Sequence, residues 1–445
     1  MIGSAAMRWW IASMAVLATC CSAVHAQVAG PDELQARRLH AAQPFPDGVL
    51  LVRSRIDVNA TADSYRENAT FYYLTGLENT PGAILAIDGK TRESWLFVHA
   101  WHRGVPLEAE PGDVSAQKLG LQHVVDWTEL DSFLTRLVQA SAKIYCEIGT
   151  AELPPNLVQA RDNHTPTWIQ ALTKKWPTLD IQVVEGQLSG LMNEESAAEL
   201  LLSRAAARAT VPAVMAGIRS IRPGISQRKI ELAVESACWN AGAHGVSFWP
   251  WVMGGANGVF PRPFDSFTRY DHLDAVLQRG DLVRLDVGCE WQHYQGDLGR
   301  TVPVSGHYSE EQREIWNMFV AAYLVGVKEL RQGSTEERVF DAWKAELLRH
   351  RAFVKSPLAK QAIEAWNDRK NVPYWQIHTS NLDTGSIDGG LRVGMVIDFE
   401  PIVSIGGQGY YLEDMFLITE VGAELLTPGV PYTAEEIEAV MKHDQ

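Results

Sequence analysis

From Glu33 onward the chain shows two periods of apolar and polar positions. Leu34 and Leu39 mark a short helix. Four brief apolar runs follow: Val49 to Val52, Phe71 to Leu74, Ala83 to Ile87 and Trp95 to Val98. Each is bounded by Gly, Pro, Asn or Asp, which predicts strands. The spacing of Leu130, Phe133, Leu134 and Leu137 predicts a helix, and Lys143 to Glu147 a further strand. This half reads as one mixed α/β domain.

The pattern changes after Glu185-Gly186-Gln187-Leu188-Ser189-Gly190, where a domain boundary is expected. Ser196 and Glu199 have the spacing of a capping box and open an Ala- and Leu-rich helix. A second helix is expected after Ser226, behind the turn Arg222-Pro223-Gly224. Ser309 and Gln312 repeat the capping pattern before a long helix that Gly333 is expected to end. The strand predictions in this half are Leu282 to Val287, Met395 to Glu400 and Leu412 to Thr419, and all three carry acidic residues.

A chain of 445 residues exceeds the usual size of one domain. A net charge of −15 argues against nucleic acid as partner, since phosphate neutralisation relies on Lys and Arg. Arg8 precedes an apolar run from Trp9 to Cys21, and Val24-His25-Ala26 offers the small residues of a cleavage site. Residues 1–26 therefore read as a secretory signal, and the expected location is secreted, periplasmic. The run is short for a span of about 20 residues, and no later segment is long enough to cross a membrane. Leu17-Ala18-Thr19-Cys20 weakly resembles a lipoprotein site, which leaves a lipid-anchored form as the alternative. After cleavage Cys146, Cys238 and Cys289 remain, an odd number at long spacing. No disulfide framework is implied, and Cys289 reads as a small buried hydrophobe.

The chemistry lies in the acids. Asp286 and Asp297 stand eleven positions apart around a glycine-containing turn, so two facing strands would present both to one cavity. Further on come His378, Glu400 within Gly394-Met395-Val396-Ile397-Asp398-Phe399-Glu400-Pro401, and Glu413 before Asp414. Four carboxylates and one imidazole suit a pair of hard divalent ions, Mn²⁺ first, with Zn²⁺, Co²⁺ or Fe²⁺ as alternatives. Such a site can polarise a carbonyl and activate water at neutral pH.

These motifs resemble those of the aminopeptidase P and prolidase metallopeptidases of the pita-bread fold. Asp286, Gly288, Asp297, Arg300 and Thr301 fit the first metal motif. Gly394-Met395-Val396 with Glu400-Pro401, and Glu413-Asp414, fit later ones. Tyr65-Arg66-Glu67-Asn68 with Phe71 to Gly76 looks like the amino-terminal domain of aminopeptidase P. The resemblance implies an α/β (α+β) fold, with a signal at 1–26, an amino-terminal mixed α/β domain at 27–188 and a pita-bread catalytic domain at 189–445. It implies that Asp297 and Glu413 bridge two ions, that Asp286 completes one and that His378 with Glu400 completes the other. Glu400 would also handle the proton of the attacking water. Two registers compete at the imidazole. Aligning Leu382-Asp383 gives His378, the better ligand, while matching His378-Thr379-Ser380-Asn381 to the family's histidine motif puts Asn381 there.

Several family groups are absent. Gly385 and Tyr374 stand where histidines are usual, and Tyr411 where an arginine is usual, two before the last glutamate. A proton-handling histidine upstream of Asp286 is also missing from its usual place. His272 or Arg262 is its candidate substitute, and His244 lies too early. Losing one oxyanion donor costs about 2.7–4 kcal/mol of transition-state stabilisation. The segment Phe248-Trp249-Pro250-Trp251 begins where the family has a cavity-lining strand, and its tryptophans suit a proline ring or an aromatic side chain, or else a plain buried strand. The implied activity is an exopeptidase releasing the first residue ahead of proline from small peptides, in a homo-oligomer, dimer or tetramer. The alternatives are another metal-dependent hydrolase or lyase on the same scaffold, or a catalytically impaired homologue.

Overall fold

A computed structural model describes residues 29–55, 67–78, 80–99, 101–102, 105–106, 115–147, 167–184, 188–262, 274–382, 384–387 and 389–442. The leader at 1–26, Tyr65-Arg66, Glu185 to Gln187, His272 and Asp383 lie outside the described residues.

The amino-terminal half forms one six-stranded mixed sheet. Its strands are β1 (Gly48–Arg53), β2 (Ile84–Asp88), β3 (Ser94–Val98), β4 (His123–Asp126), β5 (Lys143–Glu147) and β6 (Asp180–Val184), in spatial order β4-β3-β2-β1-β5-β6. Helices Pro31–Ala42, Leu130–Gln139 and Thr167–Lys175 accompany it. The expected strand at Phe71 to Leu74 is instead the helix Ala69–Thr75. Asn68 caps it by accepting from the Thr70 and Phe71 amides, and Gly76, at φ 67°, ends it in the left-handed region. All of Phe71 to Leu74 are buried. A short, continuously apolar run has no period to distinguish strand from helix, and the caps decided it.

The second half is built on two sheets. Strands β7 (Trp251–Gly254), β8 (Leu282–Val287) and β9 (Leu298–Pro303) pair antiparallel in the order β9-β8-β7. Strands β10 (Gln376–Ser380), β11 (Thr384–Ser386), β12 (Val396–Glu400), β13 (Asp414–Thr419) and β14 (Gly422–Leu425) take the order β11-β10-β12-β13-β14, again antiparallel. An isolated bridge between Gly299 and Glu413 stitches the sheets together. The capping boxes at Ser196 and Ser309 both form, at the starts of helices Ala197–Ser220 and Glu310–Val327. The second helix stops at Val327, well short of Gly333, which sits at φ 80° in the following turn. Trp316, Trp343, Trp366 and Trp375 are fully buried in the large apolar core of this half.

Two local features hold the acid-bearing hairpin in place. Contrary to the expectation of no disulfide, Cys238, in helix Gln227–Asn240, and Cys289, just after β8, form a disulfide buried in the core. Long sequence spacing hid a pair that the fold brings to a Cα separation of 5.4 Å. The hairpin tip, Gln292-His293, is the second. His293 packs on the Tyr72 ring at 4.5 Å, and its Nε2 lies 3.1 Å from Glu78, so the amino-terminal half grips the turn between the two aspartates.

Candidate metal centre

Each acid reaches the centre from a strand end or a strand edge. Asp286 lies in β8 opposite Gly299, and Asp297 immediately precedes β9. The close approach demands glycine: a Cβ on Gly299 would lie 1.8 Å from the Tyr411 ring, and one on Gly288 1.7 Å from Gly296 O. His378 and Glu400 come from the neighbouring strands β10 and β12, and Glu413 from the bridge to Gly299.

The side chains converge. Asp286, Asp297 and Glu413 offer ligand atoms all within 4.8 Å of one another, and so do His378, Glu400 and Glu413. His378 Nε2 is 3.2 Å from Glu400 Oε1 and 3.6 Å from Glu413 Oε1. Its Nδ1 meets Thr379 O at 3.1 Å, which leaves Nε2 as the nitrogen facing the acids. Gln376 donates to Glu400 Oε1, and Tyr411 donates to Glu413 Oε2. Asn381 turns elsewhere, donating to Met192 O at 2.6 Å. His378 is the residue of the two that meets the acids.

The electrostatics fit cations. Burial, with Arg284 opposing and Glu413 and Glu400 adding, pushes the Asp286 carboxyl up to about 8. Burial and the charges of Glu413, Asp286 and Asp398 hold Asp297 well above the usual carboxylate range. Burial and Glu400 raise Glu413 as well. Glu400 goes the other way: burial works against ionisation, but hydrogen bonds from His378 and Gln376 hold it below its ordinary value. Burial disfavours the imidazolium of His378, yet Glu400 and Glu413 keep it well above the ordinary histidine value. Asp297 Oδ1 and Glu413 Oε1 are buried without a hydrogen-bond partner. Carboxylates crowded in this way ionise together only around positive charge, so the donor set fits divalent ions.

A cavity of about 1010 Å³ opens onto the acids, walled by Phe248, Trp249, Trp251, Phe260 and Tyr374. Gly385 also lines it. The fully buried Arg284, two residues before Asp286, contributes its Nη2 to Asp286 Oδ2 at 2.6 Å and lies 4.1 Å above the Tyr411 ring.

Residues 202–420 match the model of metallopeptidase family M24, and residues 34–145 match the aminopeptidase P, N-terminal domain model. The chain is an aminopeptidase P-like metallopeptidase of the pita-bread fold. The Xaa-Pro aminopeptidase of Escherichia coli K12 is 27% identical over 92% of this metallopeptidase and 97% of that protein. The mitochondrial intermediate cleaving peptidase 55 of Arabidopsis thaliana is 24% identical, over 93% and 83%. Two solved structures share the fold. Proline aminopeptidase P II from Yersinia pestis has a TM-score of 0.72 at 23% identity, covering 93% of this chain and all of that one. Aminopeptidase P from Escherichia coli with the inhibitor Pro-Leu has 0.71 at 23%, covering 94% and 99%.

Arg262 is exposed and bonds Asn257 Oδ1 at 2.8 Å, and His244 accepts from the Gln292 amide at 3.0 Å. Tyr374 packs on Phe260 at 4.4 Å in the cavity wall. Sequence reasoning missed Arg284, Gln376 and Asp398. A signal existed for Arg284 and Asp398: each stands two residues before a motif acid on a strand, and hence on the same face. Among the described residues no helix is long and apolar enough to cross a membrane.

Proposed function

We propose that Asp286, Asp297, His378, Glu400 and Glu413 hold two divalent ions, and that the protein uses them to remove the amino-terminal residue from peptides with proline in second position. The observation carrying this reading is the pair of interlocking ligand groups that share Glu413 at the floor of an aromatic cavity. When bound, the ions supply carbonyl polarisation and a water acidic enough to attack at neutral pH. Glu400, whose Oε1 accepts from Gln376, takes the proton of the attacking water. Trp249, Trp251 and Phe248 offer flat apolar faces to a proline ring, and Tyr374 replaces a histidine in the same wall. Arg284 supplies, from β8, a guanidinium beside Asp286 while Tyr411 occupies the family's arginine position.

Oxygen-rich ligation favours Mn²⁺. The domain division at 188 and 189 separates the six-stranded sheet from the ion-binding strands, and the amino-terminal domain is the expected site of dimer or tetramer contacts. The leader at 1–26 and the Cys238–Cys289 disulfide both support secretion into an oxidising periplasm.

The test is hydrolysis of a panel of Xaa-Pro dipeptides and tripeptides by the mature protein with Mn²⁺ and with chelator. Chelator-sensitive release of the first residue is expected. Asp297→Ala should lower kcat/KM by about a thousandfold or more, as loss of a bridging ligand. Full activity of metal-depleted Asp297→Ala would sink the two-ion mechanism. Two bound ions with cleavage only of peptides lacking proline would move the substrate class.

A further inference from the structure

Asp398 lies in β12, the central strand of its sheet, opposite His378 on one side and Met415 on the other. Successive side chains on a strand alternate between faces, so Asp398 and Glu400 point to the same face. The side chain is completely buried; the Ser380 hydroxyl lies beside it, but neither carboxylate oxygen has a hydrogen bond of normal geometry. With Asp297 and His378 it offers ligand atoms all within 4.8 Å of one another, a third group overlapping the other two.

A buried aspartate with a structural role looks different in this molecule. Asp414, equally buried, accepts from Arg300, Tyr323, Thr427 and Tyr432. An acid buried without donors destabilises a fold unless something else meets its charge. Its unpartnered oxygens, directed at Asp297 and His378, are what a cation would use.

We propose that Asp398 is an additional metal ligand, joining Asp297 and His378 around the ion on the His378 side. This rests on the dinuclear reading above and extends it. The charges support the assignment: five carboxylates, Asp286, Asp297, Asp398, Glu400 and Glu413, are balanced by two divalent ions together with Arg284, which pairs with Asp286. An added carboxylate strengthens the hold on that ion and biases it toward hard cations such as Mn²⁺ over softer ones.

The experiment uses the full mature chain and its Asp398→Asn and Asp398→Val variants, stripped with chelator and titrated with Mn²⁺ by calorimetry, with bound metal counted by atomic spectroscopy. Thermal melts with and without Mn²⁺ accompany the titrations. The wild type should take two ions. The variants should keep one ion at wild-type affinity and hold the other at least about tenfold more weakly, the scale on which lost support at a metal site is felt. Without metal, Asp398→Val should melt at or above the wild type, because it removes a buried carboxyl that no hydrogen bond of normal geometry meets; with Mn²⁺ it should gain less than the wild type gains. Unchanged affinity for both ions in both variants would overturn the assignment and leave the dinuclear reading standing. A metal-free Asp398→Val that melts lower, or does not fold, would make Asp398 a structural acid and overturn the assignment as well. A wild type that binds no Mn²⁺ would overturn the dinuclear reading and this one together.

Discussion

Two buried arginine–aspartate pairs, Arg284–Asp286 within β8 and Arg300–Asp414 between β9 and β13, behave in opposite ways. Arg300 in β9 donates to Pro431 O at 2.8 Å, to Gly299 O and Glu413 O at 2.7 Å each, and to Asp414 Oδ1 at 2.9 Å. Asp414 in turn is met by Tyr323, Thr427 and Tyr432. No polar atom of either residue's side chain is left over, and the network fixes the backbone from which Glu413 projects. Arg284 in β8 bonds Asp286 through Nη2, while its Nε and Nη1 are buried without a hydrogen bond and its plane lies among Tyr411, Phe260 and Trp251. A satisfied buried pair holds a structure together, and an incompletely satisfied one beside a cavity is set up for a ligand.

The largest effect should come from the satisfied pair. Arg300→Met leaves Asp414 buried and uncompensated, and should destabilise the protein by about 3–5 kcal/mol in denaturant unfolding, with or without Mn²⁺. Arg284→Met should spare the fold and weaken Mn²⁺ binding by about 10–100-fold in titration, because Asp286 loses the group that orients it. If Arg284→Met unfolded the protein as severely as Arg300→Met, the distinction between the two pairs would fail.

A third buried charge sharpens the comparison. Glu195 has neither an arginine nor the cavity: Oε1 accepts from Ser203 at 2.7 Å and Oε2 has no partner. Burial is the main cause pushing its carboxyl from 4.5 up to about 8. A carboxyl whose folded value is raised contributes stability in full below its unfolded value and loses that contribution as pH rises through the folded value. Glu195→Gln should therefore melt close to the wild type near pH 4 and above it at pH 9, by the smallest margin of the three variants. Equal melting differences at both pH values would show that Glu195 does not take up a proton on folding.

Much of the centre was legible because its parts are local. Asp286 and Asp297 flank one hairpin, an apolar strand-like run leads into the first, and Ser196 and Ser309 announce their helices through capping partners three residues on. What escaped depends on distance in space. Phe71 to Leu74 carries no period, so only the Asn68 and Gly76 caps separate helix from strand. Cys238 and Cys289 meet across an interval with no sequence signature. Arg284 and Tyr411 are far apart in sequence, and the guanidinium lies over the Tyr411 ring only in the fold. Asp398 sits inside a matched motif whose recognised acid is Glu400, and nothing in the motif itself sets it apart.

The Cys238–Cys289 bond gives the protein a history as well as a shape. It closes an interval of 51 residues that includes Asp286, so the cross-link beside that strand forms only after an oxidant has acted. On the chain-entropy view, closing such an interval removes about 4 kcal/mol of freedom from the unfolded ensemble. Material made in a reducing cytoplasm and material exported before folding would share one sequence yet reach the centre by different routes. The redox setting of biosynthesis thus belongs among the determinants of how firmly the strand that bears Asp286 is held.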